Sequence, residues 1–328
     1  MSRVFVTGGT GFIGRRLVAA LTECGHAVTV LTRGRDGAGV GLPAGASTIP
    51  GSLLEPGDWT RAAQSAEIVF HLAQPQTFGG KITRERALAY RRERLIMDRN
   101  LLAPLSPRAV QRIVYVGGTS YYGDLGRRLA DESAIPRPRG WGPFIAPAIT
   151  EIRQHLDRGL PIVTTFPGYV YGFGSWFRQY VLAPLRRQRP LFVLRGRSRM
   201  CSPVHVCDCA RALSFLMEKG EVGERYFLVD DRPVPTAEIY RLAAECLGMP
   251  LHLRRLPVPI ALAVIGRLSV SAMRSDAVLS NLRLRQLGFV PAFPSVYSGI
   301  PAVIAEARTH WAATRRESEG RGVSSLSR

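Results

Sequence analysis

Three glycines near the amino terminus are spaced so that they could bind a phosphate group. Gly8, Gly11 and Gly14 follow the apolar run Val4–Val6 directly and precede a helical pattern. In a strand-to-helix turn, glycines let the backbone approach a pyrophosphate, and the helix amino terminus offers free N–H groups and a positive dipole end. The pattern predicts a dinucleotide site whose contacts come from Gly8, Thr10, Gly11, Phe12, Ile13 and Gly14.

The end of the next apolar run indicates which dinucleotide is bound. The segment Thr32-Arg33-Gly34-Arg35 has no carboxylate before Asp36. An acidic side chain at this point binds the ribose diol of NAD(H), whereas a cation accommodates the 2′-phosphate of NADP(H). We predict that Arg33 contacts this phosphate and that NADP(H) is preferred, with NAD(H) as the second choice. The alternative is that Arg33 is a solvated loop residue.

The elements that must position this turn alternate along the first half of the chain. Apolar, β-rich runs are separated by longer stretches with helical spacing, which is typical of a parallel sheet covered by helices on both faces. The runs are Val4–Val6, Ala27–Leu31, Ile68–Leu72, Ile113–Val116 and Ile162–Phe166, and the helices are Ile13–Cys24, Arg84–Leu102 and Ala146–Arg158. We predict a Rossmann-type doubly wound α/β sheet.

The character of the chain changes after Phe166. Trp176–Arg187 has a helical pattern, Val204–Met217 and Tyr226–Val229 are predicted to return to the sheet, and Thr236–Leu247 is predicted to be a helix with Thr236 as N-cap. These features indicate a smaller, mostly helical substrate lobe towards the carboxyl terminus. The predicted division is a dinucleotide domain of residues 1–167 and 201–232, a substrate lobe of 168–200 and 233–313, and a disordered tail of 314–328.

Composition limits the partners and the compartment. The formal net charge of +19 is spread along the chain, Lys81 and Lys219 are the only lysines, and no nucleic-acid motif accompanies the arginines, so we expect no nucleic-acid partner. An anionic substrate, cofactor phosphates or a peripheral membrane contact could use this charge. Five scattered cysteines and a first strand that begins almost at Met1 favour a cytoplasmic protein.

Two further segments are candidates for binding roles. The apolar stretch Val258–Met273 is too short and interrupted for a transmembrane span, so we predict a lobe helix, with a membrane-surface anchor as the alternative. Cys201, His205, Cys207 and Cys209 do not match common zinc spacings, so we predict no metal. Trp176, Phe177 and Tyr180 indicate a hydrophobic or aromatic substrate pocket or, equally, the lobe's own core.

The chain resembles the extended short-chain dehydrogenase/reductase superfamily over roughly residues 3–300. The motifs that carry the resemblance are Thr7–Gly14, Phe70–Ala73, Val114–Gly123, Pro167–Gly172, Val204–Ala210 and Leu287–Phe289. The resemblance implies further cofactor contacts from Ser52, Leu53, Leu72, Ala73, Gly117, Pro167 and Tyr169.

The resemblance breaks at the catalytic residues. Family members use a Ser or Thr, a Tyr, and a Lys four residues after the Tyr. In this chain the expected hydroxyl falls on Gly118, and the expected Tyr and Lys fall on Pro143 and Pro147. No lysine lies between Lys81 and Lys219, so a small misalignment does not restore the Tyr–Lys dyad. The resemblance therefore implies an atypical member.

Other side chains on the matching segments could donate a proton. The candidates are Tyr169, preferred because it follows the Pro167-Gly168 turn, together with Thr119 and Tyr121, while Ser120 and Tyr171 are further possibilities. A positioned general acid contributes ~10²–10⁴-fold, whereas orientation contributes about 7–11 kcal/mol, so an enzyme without the dyad can be competent when its acceptor is activated.

These observations predict an NADP(H)-dependent reductase. It would deliver hydride to an activated C=C, C=O or C=N bond of a hydrophobic or aromatic small metabolite, of the kind found in secondary metabolism. Two alternatives remain open. One is a non-redox isomerase or cyclase that uses the pocket alone, and the other is a dinucleotide-binding regulatory protein without turnover.

Overall fold

A computed structural model describes residues 1–34, 41–76, 82–196 and 198–324, the last ten of them by backbone alone. The strands are β1 (Arg3–Thr7), β2 (Ala27–Thr32), β3 (Ser47–Pro50), β4 (Ile68–His71), β5 (Arg112–Val116), β6 (Gly126–Ala130), β7 (Ile162–Pro167), β8 (Tyr169–Tyr171), β9 (Leu191–Leu194), β10 (Met200–Cys201), β11 (Pro203–His205), β12 (Arg225–Leu228), β13 (Val234–Pro235), β14 (Leu253–Leu256) and β15 (Ala277–Leu279).

Helices follow most of these strands, and two short segments depart from α-helical geometry. Thr119–Tyr121 forms a 3₁₀ turn, and Arg178–Leu182 is a π-helical segment that joins α5 to α6. The helices are α1 (Phe12–Glu23), α2 (Trp59–Gln64), α3 (Arg84–Leu102), α4 (Gly142–Asp157), α5 (Ser175–Phe177), α6 (Ala183–Arg186), α7 (Val206–Lys219), α8 (Thr236–Leu247), α9 (Val258–Arg274), α10 (Leu282–Gln286) and α11 (Val296–Ser324).

Seven parallel strands form the central sheet in the order β12-β7-β5-β4-β1-β2-β3. The five predicted apolar runs are its five interior strands, which are buried on both faces. The two edges are β12, which was predicted as a return to the sheet, and β3, which is short, largely exposed and was not predicted. The strand order reverses at β1, the point where doubly wound sheets bind ligands.

Helices cover both faces of the sheet, which confirms the doubly wound fold. On one face Leu17 of α1 and Leu213 of α7 are fully buried against the strands. On the other, Leu101 of α3, Ile152 of α4 and the ring of Trp59 are buried. Each face thus has its own hydrophobic core, and burial of these apolar side chains is the main force that holds helices and sheet together.

A third hydrophobic core forms the smaller lobe. Phe177, Val181 and Leu185 pack there with Ile239 of α8 and Ile300 of α11. These side chains come from both parts of the chain that were assigned to the substrate lobe. The residue boundaries given above for the two domains stay a prediction.

Three helix ends differ from the sequence prediction. Helix α4 begins at Gly142 rather than Ala146, because a proline such as Pro143 is tolerated in the first turn of a helix. Thr236 is the first residue of α8 and not its N-cap, and its hydroxyl donates a hydrogen bond to the carbonyl oxygen of Arg199 instead. Helix α11 continues to Ser324, so the backbone is helical where disorder was predicted from Thr314, while residues 325–328 lie outside the described chain.

Helix α9 covers the apolar stretch Val258–Met273 but is not straight. Gly266 has φ 82° and ψ 167°, so the helix is kinked there. Because φ near +80° is strained for residues with a Cβ atom, glycine suits this position. Among the helices that are described, none has the length and apolar character that a membrane span requires.

Candidate active site at the carboxyl edge of the sheet

A cavity of about 610 Å³ opens at the carboxyl ends of the interior strands, a volume within the usual range of ligand sites. The glycine turn forms one side, and the segments after β4, β5 and β7 form the others. Nine of the predicted cofactor residues line this cavity, namely Gly8, Gly11, Phe12, Ile13, Gly14, Leu72, Gly117, Pro167 and Tyr169. The fold therefore brings together the motifs that lie far apart in the sequence.

The start of α1 has the features of an anion cradle. The helix begins at Phe12, no side chain caps its amino terminus, and its first turn contains no acidic residue. The first N–H groups of a helix have no partner within the helix, so those of Phe12, Ile13 and Gly14 are free to bind a phosphate. All three residues line the cavity, and the side chains of Phe12 and Ile13 are partly buried.

Steric crowding explains why the turn requires glycine. A Cβ atom on Gly14 would lie 2.1 Å from the carbonyl oxygen of Gly8. Gly8 has φ +74°, and a Cβ there would lie 2.7 Å from the backbone nitrogen of Ala73. The backbone of the turn therefore lies directly against the end of β4, which leaves a cradle of the kind that a dinucleotide diphosphate fits.

A buried polar network holds the ends of β1 and β4. Thr7 Oγ1 lies 2.7 Å from His71 Nδ1 and accepts a hydrogen bond from the backbone N–H of Ala73, while His71 Nε2 lies 2.8 Å from Asp98 Oδ1. Burial, reinforced by the nearby positive charge of Arg94, lowers the pKa of His71. A neutral ring that accepts from Thr7 and donates to Asp98 satisfies every partner.

Arg94 extends this network to β5 and to the cavity. Its Nε lies 2.9 Å from Asp98 Oδ1, Nη1 donates to the carbonyl oxygen of Ala73 at 2.6 Å, and Nη2 donates to that of Val116. The Tyr115 hydroxyl donates to Asp98 Oδ2 at 2.7 Å. Burial by itself would raise the pKa of Asp98, but the charge of Arg94 and the hydrogen bonds lower it on balance. Asp98 and Arg94 therefore form an ion pair. The sequence reasoning did not identify Arg94 or Asp98.

The wall where the family dyad is expected is apolar. Helix α4 contributes Ile145, Ala148 and Ile149 to the cavity, whereas Pro143 is exposed and neither Pro143 nor Pro147 lines it. Within the described chain, the ionisable residues that line the cavity are Tyr90, Arg94, Tyr115 and Tyr169.

The three predicted catalytic residues differ in their surroundings. Thr119 lies in the 3₁₀ turn and lines the cavity beside Ser120. Tyr169 also lines it, but its ring packs on Trp176 with centroids 4.2 Å apart. Burial, with Tyr240 close enough for a hydrogen bond, raises the pKa of Tyr169 well above its usual range. Tyr169 thus lies between the cavity and Tyr240 of the small lobe.

Tyr121 does not line the cavity. Its ring stacks on Phe166 with centroids 5.7 Å apart and meets Tyr122 edge to face at 5.2 Å. Packing against the core accounts for this residue, and its predicted catalytic role has no support in the geometry.

A phenol that sequence reasoning missed lines the cavity on α3. The Tyr90 hydroxyl donates a hydrogen bond of 3.0 Å to Gln74 Oε1, and both residues line the cavity. Burial raises the pKa of Tyr90, while the charge of Arg94 acts in the opposite direction. Tyr90 and Arg94 are four residues apart on one helix, so both can project towards the same site. The available signal was this Tyr-x-x-x-Arg spacing on a predicted helix.

The remaining predicted cofactor residues lie outside the cavity. Arg33 is exposed at the end of β2, and the neighbouring Arg35 and Asp36 fall outside the described residues. Ser52 is half-buried, and Leu53 is buried beside Trp59 in the hydrophobic core. Thr10 is bound through its carbonyl oxygen by Arg15, and Ala73 belongs to the network below the cavity floor. Contacts from these five residues to a cofactor stay predictions.

The small lobe contributes less to the pocket than its sequence indicates. Trp176 lines the cavity, but Phe177 is buried in the lobe core and Tyr180 is largely exposed. No residue of α9 is among the lining residues of the described chain. Trp141 packs on Tyr90 at 4.8 Å between centroids. The aromatic residues that line the cavity are Phe12, Tyr90, Tyr115, Trp141, Tyr169 and Trp176.

The Cys and His residues near position 205 have separate surroundings. Cys201 and Cys209 are buried, and burial raises the pKa of both thiols above the usual value, to about 11 for Cys201. His205 Nδ1 accepts a hydrogen bond from the backbone N–H of Cys207 at the start of α7. In the described part of the chain, no three His, Cys, Asp or Glu side chains are grouped as a metal ion would need.

Comparison with known proteins identifies the family. Residues 4–228 match the model of the NAD dependent epimerase/dehydratase family. A ketoreductase from Stigmatella aurantiaca that acts on 4-hydroxy-2-methyl-3-oxo-4-farnesyl-3,4-dihydroquinoline-1-oxide is 27% identical over 291 residues, covering 86% of this chain and 85% of that protein. The 2-alkyl-3-oxoalkanoate reductase of Stenotrophomonas maltophilia is 25% identical, with 76% of each chain covered.

Solved structures share the fold at lower identity. The human epimerase family protein SDR39U1 with NADPH aligns with a TM-score of 0.73 at 22% identity, over 92% of this chain and 98% of that one. The UDP-glucose 4-epimerase of Thermus thermophilus with NAD gives 0.76 at 21% identity, over 93% and 99%. Together with the site geometry, the family match shows that the chain is an oxidoreductase-type enzyme that belongs to the NAD-dependent epimerase/dehydratase family, as its motifs predicted.

Proposed function

We propose that this protein is an NADPH-dependent reductase of a ketone or other activated double bond in an apolar, partly aromatic metabolite. The observation that carries the proposal is the composition of the cavity at the sheet edge. A backbone anion cradle adjoins a wall of aromatic and aliphatic side chains, and none of its described lining residues is a Lys, His, Asp or Glu. Such a site suits a dinucleotide and a lipophilic acceptor.

The printed names of two relatives support the substrate class. The Stigmatella aurantiaca protein is named as a ketoreductase of a farnesylated dihydroquinoline oxide, and the Stenotrophomonas maltophilia protein as a reductase of 2-alkyl-3-oxoalkanoates. Both named substrates carry a carbonyl group and a hydrocarbon chain. We therefore place a carbonyl compound with a large apolar substituent first among candidate acceptors.

For the cofactor, we propose NADP(H) ahead of NAD(H). Bound NADPH would supply the hydride, and the first turn of α1 would hold its diphosphate through backbone N–H groups. Arg33 is exposed at the end of β2, the position from which a cation can meet a 2′-phosphate. NADPH in the solved human relative is compatible with this preference.

The contacts favour Tyr90 over Tyr169 as the proton donor. When the substrate carbonyl carbon is reduced, its oxygen must receive a proton, which leaves a phenolate on the donor. The positive charge of Arg94 favours a Tyr90 phenolate, while burial and Asp98 act against it. For Tyr169, Arg199 lies over the ring at 5.9 Å, and burial together with Tyr240 raises the pKa well above its usual range. Thr119 and Ser120 provide hydroxyl groups that can bind the developing oxyanion.

One experiment tests the function directly. Purified protein is titrated with NADPH and NADH, and stereospecifically deuterated NADPH is then supplied with candidate ketones such as 3-oxo-dihydroquinolines and 2-alkyl-3-oxo acids. We expect tighter binding of NADPH and transfer of deuterium to the product carbinol carbon. Failure to bind either nucleotide would overturn the proposal. Binding without label transfer to any acceptor would instead support the non-redox or regulatory alternative.

A further inference from the structure

The first half of α9 is an apolar surface that the rest of the described chain leaves uncovered. Its eight residues, 258–265, are all apolar, and only Ala261 among them is buried. Ile260 is 51% exposed, Leu262 38% and Val264 64%. Clustered exposure of large aliphatic side chains in a soluble lobe marks an interaction site, because it leaves apolar area in water.

The second half of α9 holds this surface in place. Beyond the kink at Gly266, Val270 is buried. The loop before α4 lies close against this half, because a Cβ atom on Gly140 would be 3.1 Å from Ser271 Cβ. The half of α9 after the kink is thus less exposed than the half before it.

A two-stranded ribbon extends the apolar surface. Strand β14 leads directly into α9 through Pro257 and pairs in parallel with β9, placing Arg254 opposite Phe192. The Phe192 ring is 50% exposed. Phe192 and the exposed aliphatic residues of α9 together form what we call the α9 surface, defined by Phe192, Ile260, Leu262 and Val264.

Positive charge surrounds the α9 surface. Arg195, Arg254, Arg255 and Arg267 are exposed, and none of them forms an ion pair within the part of the chain that is described. The sequence contains no Asp or Glu between Asp157 and Asp208, or between Glu245 and Asp276. The small lobe is thus strongly electropositive on both segments that build this surface.

We propose that the α9 surface docks the protein on an anionic phospholipid bilayer. Aliphatic side chains on a short exposed helix can enter the headgroup and acyl boundary, while flanking arginines meet lipid phosphates. Nucleic acid would satisfy the arginines but offer no hydrocarbon to Ile260 and Val264. A second copy of this chain would bring an equally positive lobe against the first and is therefore disfavoured.

Docking would place the catalytic cavity near the membrane. Gly140, which contacts the second half of α9, precedes Trp141, and Trp141 lines the cavity. If the proposed function holds, a substrate with a long hydrocarbon chain could pass from the bilayer to the site along this side of the molecule. The docking surface itself does not depend on the redox reaction.

Vesicle flotation with the full-length protein tests the inference. We expect binding to vesicles of phosphatidylcholine mixed with phosphatidylglycerol and little binding to phosphatidylcholine alone. The double variant Ile260→Gln/Val264→Gln should bind the mixed vesicles about tenfold more weakly, since it removes the apolar contacts. Arg254→Gln/Arg255→Gln should weaken binding by a similar factor and reduce its dependence on salt.

Matched variants elsewhere provide controls. Val222→Gln changes a residue that is 54% exposed in the turn before β12, an edge strand of the central sheet, and Arg91→Gln/Arg92→Gln changes an adjacent exposed pair on α3. Both should bind vesicles like the unaltered protein.

Equal binding by all variants, or binding to neither vesicle, would overturn the proposal. So would self-association in solution that only Ile260→Gln/Val264→Gln abolishes. Titration of each variant with NADPH measures whether its cofactor site is intact. A loss of vesicle binding can thereby be told apart from a failure of the proposed function.

Discussion

At the scale of single residues, the main question is which group donates the proton, since the sequence predicts that the Tyr–Lys dyad is absent. Tyr90 and Arg94 combine a phenol with a buried cation on one helix, and both line the cavity. Tyr169, the choice from sequence, also lines the cavity, but its ring packs on Trp176 and Tyr240 of the small lobe lies close enough to hydrogen-bond to it. The neighbours of each phenol therefore favour Tyr90, which sequence proximity to the cofactor does not.

Removal of the Tyr90 hydroxyl should impair turnover. We expect Tyr90→Phe to lower kcat about a hundredfold, within the range for loss of a positioned general acid, with the Kd for NADPH unchanged. Tyr169→Phe serves as the comparison and should lower kcat less. Steady-state rates at saturating NADPH measure both. A large loss in Tyr169→Phe with normal turnover in Tyr90→Phe would return the role to Tyr169.

Cofactor preference should depend on Arg33. Loss of a charged hydrogen bond costs roughly 1.5–3 kcal/mol, and 1.4 kcal/mol corresponds to tenfold in affinity. We expect Arg33→Gln to weaken NADPH binding at least about tenfold while leaving NADH binding unchanged. Fluorescence titration of both nucleotides provides the measurement, with Arg108→Gln, an exposed arginine before β5, as control. An equal change for both nucleotides would contradict a 2′-phosphate contact.

At the scale of elements, a buried ionic network joins α3 to the ends of three strands. Asp98 on α3 is bound by His71 of β4, Tyr115 of β5 and Arg94. Through Thr7, the same network reaches β1, from which the glycine turn starts. We infer that these contacts hold the cavity floor rigid, because each strand end is hydrogen-bonded to a side chain that has further partners in the same network.

Breaking this network on one side should destabilise the fold. Asp98→Leu leaves Arg94 as an uncompensated buried charge, which costs about 3–5 kcal/mol of unfolding free energy. The double variant Arg94→Met/Asp98→Leu removes both charges and should recover much of that loss. Urea denaturation of the two variants tests the coupling. Strictly additive losses would show that Arg94 and Asp98 do not act as a pair.

A buried carboxyl group after β12 makes stability depend on pH. Burial raises the pKa of Asp230 from 3.8 to about 8, so the folded protein holds a proton that the unfolded chain has already lost. Stability from this group is present at low pH and falls as pH rises towards 8. Asp230→Asn keeps a group that can accept from Tyr171 but cannot ionise, so it should gain stability relative to the unaltered protein as pH rises.

The size of this effect follows from linkage. Each pH unit is worth about 1.4 kcal/mol, so the difference between Asp230→Asn and the unaltered protein should change by up to about 4 kcal/mol from pH 5 to pH 8. Denaturant unfolding at several pH values measures it. A difference that does not vary with pH would show that Asp230 ionises normally in the folded protein.

At the scale of the whole molecule, the two lobes are joined by repeated crossings of the chain. Strand β10 pairs with β13, and Ser202 bonds to both Ala277 and Leu279, so segments distant in sequence meet between the lobes. Tyr171, buried in the small-lobe core, bonds to Asp230 after the last strand of the sheet. These contacts indicate that the lobes unfold as one unit.

Cofactor binding should therefore stabilise the entire chain. A ligand at a hundred times its Kd adds about 2.7 kcal/mol to the unfolding free energy. Calorimetry with NADPH should show one transition that moves to higher temperature, with a smaller shift for NADH at the same concentration. Two transitions, of which only one responds to NADPH, would contradict cooperative unfolding of the lobes.

The sequence alone was sufficient for the five interior strands of the sheet and for the glycine turn. Interior strands are continuous apolar runs, and a turn in which a Cβ would collide with Gly8 or Ala73 requires glycines at set positions, so both leave a local signal. The absence of the Tyr–Lys dyad, inferred from Pro143 and Pro147, stays a prediction.

Only the tertiary structure decided which side chains share the site. Tyr90, Arg94 and Asp98 lie on one charged helix, whose bonds to His71 of β4 and Tyr115 of β5 hold it beside the ends of these strands. Tyr90 and Arg94 thereby reach the cavity, and Asp98 pairs with Arg94 behind it. Tyr121 packs partly buried against the sheet core, and Phe177 is buried in the small-lobe core, although the sequence placed both near the substrate. Hydrophobic periodicity is a property of neighbouring residues, whereas a site is a property of residues that folding brings together.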